Sequence, residues 1–130
     1  MTRGAFTPKV KRQIVDRQDG ACCVCGVMCI DPLDYRPLRE YSFQHRRARA
    51  MGGSRDPITS SAANGLLVCG SATTGDHQQI EAHPAWAAGR GFRVGSWEDP
   101  AEVSVVVYGY GRVRLSADGG YVPCGQDGAA

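Results

Sequence analysis

Apolar positions early in the chain recur at helical spacing: Val10 and Ile14 lie four apart, and Arg17 continues the same face. Thr7 is placed to cap that helix, Pro8 suits its first turn, and Asp19-Gly20 marks its end, which predicts a short, basic, amphipathic helix. The periodicity then breaks at "ACCVCGVMC" (21–29), a tight cysteine knuckle, and at the proline-punctuated loop "IDPLDYRPLR" (30–39). "EYSFQH" (40–45) alternates with period two and reads as a strand with Tyr41 and Phe43 on one face. Residues 46–63 form a long polar connector, of the kind that is usually functional inside a small domain. "NGLLVC" (64–69) predicts a second strand, "DHQQIEA" (76–82) a short helix, and "PAWAAGRG" (84–91) another turn or two of helix opened by Pro84. Near the end, Val103, Val105 and Val107 alternate with Ser104 and Val106, and Val113 and Leu115 alternate with Arg112 and Arg114. That pattern predicts a β-hairpin over about 101–123, turning at Gly109 to Gly111 and either covering the core or forming an interface. Trp86 and Trp97 are expected as core anchors. The order of elements indicates an α+β fold, and 130 residues suit a single small domain (1–130) with one modest core.

Charge changes this picture. The formal balance of +2 hides an asymmetry: residues 1–55 hold 11 Lys and Arg against 5 Asp and Glu (+6), and residues 56–130 hold 4 against 8 (−4). The first half is therefore suited to an anionic partner. No run of about 18 apolar residues is present, and "MTRGAFTPKVKRQ" lacks the apolar core of a signal peptide, so the expectation is a soluble protein of the cytoplasm with no membrane partner. In that compartment six cysteines point to metal ligation rather than a disulfide scaffold.

The stretch "FQHRRARAMGG" (43–53) sharpens the question of function. His45 ends a strand and is followed by three arginines in four positions, then by Gly52-Gly53, a turn that also lets backbone N–H groups approach a phosphate. Nearby cations are expected to lower the pKa of His45 and keep it neutral, able to accept a proton near an anionic substrate.

Strand, long loop, strand and helix, with His45 ending the first strand, Asn64 opening the second and His77 starting the helix, resembles the HNH endonucleases. These have the ββα-metal fold, and the similarity is greatest to small phage-encoded members whose sequences carry "HR…GMGGS…N…LCG…H"; it covers roughly residues 20–90. The resemblance implies His45 as the general base that deprotonates water, with Asn64 holding the imidazole in orientation and His77 as ligand to a catalytic Mg²⁺, Mn²⁺ or other transition metal. Arg46, Arg47, Arg49 and Arg55 become phosphate contacts on DNA. Where the family usually places Asp or His as a second metal ligand, this chain has Gln44, and Glu81, four residues after His77, can supply the missing charge. Family members also pair a C-x-x-C knuckle with two further cysteines. Here Cys22, Cys25 and Cys69 match, while Asp76 stands at the fourth position, so the four can close a structural zinc site, with Cys29 or Cys23 as alternative fourth ligands. Cys124 has no evident partner.

The implied activity is metal-dependent nicking or cutting of DNA, and for the phage subgroup a role with the terminase large subunit in genome packaging. A catalytically impaired, zinc-stabilised nucleic-acid-binding module is the alternative from another class. A homing-type nuclease would need a further sequence-reading segment, for which 130 residues leave little room.

Overall fold

A computed structural model describes residues 4–49 and 56–124. Over these described residues the chain folds as a small mixed α/β domain with three α-helices and two antiparallel sheets. Helix α1 (Pro8–Gln18) begins at Thr7, whose hydroxyl accepts from the Val10 N–H at 3.2 Å, and stops where Asp19 turns left-handed. It packs Ile14 and Val15 inward. Strands β1 (Tyr41–His45) and β2 (Gly65–Cys69) pair antiparallel with His45 opposite Gly65, Phe43 opposite Leu67 and Gln44 opposite Leu66. Helix α2 (Gly75–Ala82) follows β2, and α3 (Pro84–Arg90) follows at once.

Leu66, Leu67 and Val68 of β2 are all fully buried, because helices cover both faces of this two-stranded sheet. Period-two alternation puts Tyr41, Phe43 and His45 on the α1 side, and Ser42 and Gln44 on the α2 side. Gly65 is a glycine for a packing reason: a Cβ there would lie 2.4 Å from Ile14 and 3.0 Å from Phe6. The outer edge of β2 is closed by the Gln18 amide, which donates to the Leu67 carbonyl (2.9 Å) and accepts from the Leu67 N–H (3.0 Å). The outer edge of β1 meets no strand among the described residues.

The C-terminal hairpin is present and is extended by a strand that the pattern did not predict. β3 (Val105–Val107) pairs with β4 (Gly111–Leu115), and β4 pairs with β5 (Tyr121–Pro123). Val105, Val107, Val113 and Leu115 face the core as their alternation requires. Neither tryptophan anchors that core. Trp97 is 86% exposed, and Trp86 lies at the surface, edge-on to the buried Phe92, which takes the expected role.

The polar connector after β1 does not present its first arginines to solvent. Arg46 is 2% exposed, and its guanidinium donates to the carbonyls of Gly91, Ala63, Pro100 and Val103 at 2.7–2.9 Å. Arg47 is also buried, donating to the Glu98 carbonyl, the Thr59 hydroxyl and the Asp56 carboxylate. The expected phosphate contacts at these two positions are therefore corrected: interior carbonyls take up the Arg46 donors, and a carbonyl, a hydroxyl and a carboxylate take up those of Arg47. Burial pushes the Arg46 guanidinium down to about 10, which leaves it charged at neutral pH. Arg55 and Gly52-Gly53 lie outside the described residues.

Replacing Arg46 by Met would strand four carbonyls in the interior. Arg46→Met should cost several kcal/mol of the roughly 5–15 kcal/mol that hold such a domain together, whereas Lys9→Ala at the surface should stay within about 0.5 kcal/mol. Urea denaturation measures both; equal midpoints for Arg46→Met and the parent would contradict the assignment.

Candidate active site and metal centre

Two groups of chemically active side chains flank the β1–β2 pair. The first is a cleft of about 270 Å³ lined by Phe43, Gln44, His45, Ala48, His77 and Glu81. His45 enters it from the end of β1, stacked on Phe6 with ring centroids 3.9 Å apart and planes 10° from parallel. Its Nε2 lies 2.6 Å from the Gly4 carbonyl oxygen. A carbonyl only accepts, so Nε2 carries the proton and Nδ1 holds a lone pair. The imidazole pKa is lowered, as expected, but the largest cause is burial. The Gly4 hydrogen bond opposes the shift, and of the neighbouring arginines it is half-buried Arg49 that adds to it.

The Asn64 side chain makes its hydrogen bonds elsewhere than to the imidazole, contrary to the role expected of it. Its amide donates to the Arg47 and Thr59 carbonyls and accepts from the Arg47 N–H at 2.7 Å, while its own carbonyl accepts from the Arg46 N–H. Asn64 thus fixes the backbone turn that follows His45, and the N-terminal arm at Gly4 and Phe6 fixes the ring. A backbone carbonyl that accepts from a ring 41 positions away leaves no side-chain signal in the sequence.

His77 is oriented by a residue the sequence reading passed over. Ser42 Oγ donates to the Gly70 carbonyl (2.7 Å), so towards His77 it can only accept, and His77 Nδ1 at 2.8 Å is the donor. That leaves a lone pair on His77 Nε2, which lies 3.7 Å from Glu81 Oε1. Gln44 reaches the same carboxylate oxygen, with Nε2 at 3.4 Å, and Arg93 meets the other at 3.6 Å. The Nε2 atom of His77 and the Glu81 carboxylate oxygen face each other in an arrangement that could hold a divalent metal ion. His77 and Glu81 can ligate one directly, and rotation of the Gln44 amide would present its oxygen as a neutral third donor. Ser42 was visible in principle: it shares the α2-side face of β1 with Gln44.

The second group lies at the opposite end of β1–β2. The ligand atoms of Cys22, Cys25, Cys69 and Asp76 all lie within 4.8 Å of one another. Asp76 Oδ2 is 3.3 Å from both Cys22 Sγ and Cys69 Sγ, and Cys25 Sγ is 3.8 Å from Cys69 Sγ. Ligands placed tetrahedrally about one ion at roughly 2.0–2.3 Å are separated by about 3.5–3.8 Å, so the spacing fits a single bound cation. The backbone N–H groups of Val24 and Cys69 both point at Cys22 Sγ (3.4 and 3.3 Å), a pattern that suits a thiolate. The group could therefore hold a metal ion, with Asp76 as its fourth member. Cys23 and Cys29 do not join it. Each donates to a carbonyl, of Val106 and Val27 respectively, and burial pushes each thiol up to about 12. No helix among the described residues is long and apolar enough to cross a membrane.

In comparisons with known proteins, no family model matches the chain, and neither a curated protein nor a solved structure matches it.

The two tautomers are open to direct measurement. Long-range ¹H–¹⁵N correlation spectra of the metal-free cleft should show neutral His45 protonated at Nε2 and neutral His77 protonated at Nδ1. The reverse assignment at either ring would remove the geometric argument for that residue.

Proposed function

We propose that this protein is a metal-dependent DNA endonuclease of the HNH type, stabilised by a structural zinc ion held by Cys22, Cys25, Cys69 and Asp76. One observation carries the reading. A single cleft beside the open edge of β1 collects His45 and His77, each with one ring nitrogen tied to a protein acceptor and the other left with a lone pair, together with Glu81 and Gln44.

His45 Nδ1 takes a proton from a water molecule as its oxygen attacks a phosphodiester phosphorus. The bond from phosphorus to the 3′ oxygen breaks, the departing oxygen acquires a proton from solvent, and the products carry 5′-phosphate and 3′-hydroxyl ends. His77, Glu81 and the Gln44 amide would hold a divalent cation, which would supply stabilisation of the charge that develops on the phosphoryl oxygens and the leaving group. Glu81 brings the only anionic ligand among the residues lining the cleft, so the site favours Mn²⁺ or another transition metal, which imidazole binds well, over Mg²⁺. At the other centre, three thiolates and a carboxylate match the preference of zinc for sulfur in tetrahedral structural sites.

Elemental analysis of protein purified without chelator should find about one zinc per chain, and Cys25→Ser should lower that content and the unfolding midpoint together. A metal-free, equally stable protein would remove the zinc assignment.

Plasmid nicking in Mg²⁺, Mn²⁺ and Ni²⁺ tests the enzyme. The parent should cut, His45→Ala should lose at least about a hundredfold in rate with DNA affinity retained, and Gln44→Asp should shift half-maximal activity to lower metal concentration, most for Mg²⁺. Binding without cleavage in all three metals would favour the second reading, a nucleic-acid-binding module whose chemistry was lost with the anionic ligand at position 44.

A further inference from the structure

Arg46 and Arg47 are turned into the interior, which leaves other cations of the described surface as candidates to meet a nucleic acid. Between α1 and the α1-side face of β1 lies a trough of about 180 Å³ lined by Lys11, Arg12, Tyr35, Tyr41 and Phe43 among others. Phe43 also walls the His45 cleft, so trough and cleft adjoin along that ring. Alternation along β1 sets Tyr41, Phe43 and His45 in one row, their Cα atoms roughly 7 Å apart in succession. Tyr41 packs edge-on to Phe43 with centroids 5.7 Å apart, and Lys11 Nζ stands 5.7 Å from the Phe43 centroid. Tyr35 enters from a backbone at φ +60°, a region costly for a bulky side chain, and its hydroxyl donates to Asp16 at 2.9 Å. Lys9, Lys11 and Arg12 are exposed, and none forms an ion pair among the described residues.

Aromatic rings open to solvent in a groove whose rim carries Lys11 and Arg12, with the Asp16 carboxylate held to the Tyr35 hydroxyl, match one chemistry above others. Unpaired bases stack on rings while the strand's phosphates meet the cations; a duplex keeps its base faces inside its own stack. We infer that the trough between α1 and β1 binds an unpaired DNA strand and delivers it to the cleft beside His45. The delivery rests on the nuclease reading of that cleft. The binding of a strand does not.

Fluorescence anisotropy with a 5′-fluorescein-labelled oligonucleotide, single-stranded and as a duplex, without added divalent cation, tests the binding on the full chain. Lys11→Glu/Arg12→Glu and Tyr41→Ala should each weaken single-strand affinity by roughly tenfold or more. Arg90→Glu/Arg112→Glu, with the same change in net charge on a different face, should change it less than about threefold. A 5-iodouracil-substituted strand should photocrosslink to peptides containing Tyr35, Tyr41 or Phe43. Crosslinks confined to other peptides, parental affinity in the trough variants, or a duplex bound as tightly and with the same variant dependence would overturn the inference. Nicking assays on the same variants separate the two claims: a parent that cuts plasmid while the trough variants bind and cut unchanged refutes the trough and keeps the nuclease. Strand binding lost in the trough variants, in a parent that never cuts, refutes the nuclease and keeps the trough.

Discussion

The fold depends on how buried backbone carbonyls are satisfied in a chain with little regular structure to do it. Its described strands are three to five residues long, and long irregular segments run over 19–40 and 91–104. Arginine solves the problem because one guanidinium offers five donors. Arg46 gathers carbonyls from the turn before β2, the end of α3 and the segment before β3, and so ties both sheets together one residue after His45. Arg17 does the same from α1, donating to the carbonyls of Ala62 and Gly65 at 2.8 and 2.6 Å. Gln18 adds the amide clamp on Leu67. These contacts fix where β1 ends, and with it where the His45 imidazole stands.

The same constraint shapes the chemistry proposed here. Residues spent on the interior are not available to a substrate, so Arg46 and Arg47 contribute rigidity while α1 carries exposed charge. The two histidines are prepared in parallel ways: each has one nitrogen committed to an oxygen acceptor, Gly4 for His45 and Ser42 for His77. Such partners select a tautomer and an orientation before any ligand arrives. The cysteine-aspartate group anchors the opposite end of the β1–β2 pair to the knuckle and to the start of α2, which positions His77 one residue after Asp76.

Much of this was legible in the chain wherever the signal was local. Thr7, Pro8 and Asp19 bound the first helix as their chemistry dictates, Val105, Val107 and Val113 turn inward, and Cys22, Cys25, Cys69 and Asp76 meet. What the sequence could not reveal is which partner a polar group chooses over distance. Asn64 takes the Arg47 backbone in place of the imidazole, and Arg46 is buried although its composition and neighbours suggest a surface cation. Trp97 is exposed although tryptophan usually supplies core area. β5 was missed because three residues after a glycine pair carry too little alternation to mark a strand.

The most direct test of the account is where cations bind. Anomalous diffraction from crystals soaked in Mn²⁺, collected at the manganese and zinc edges, separates the two centres by element and position. The account predicts a zinc peak bonded to Cys22, Cys25, Cys69 and Asp76 and a distinct manganese peak bonded to His77 Nε2 and the Glu81 carboxylate, beside His45. Manganese absent from the cleft, or bound there without His77, would contradict it.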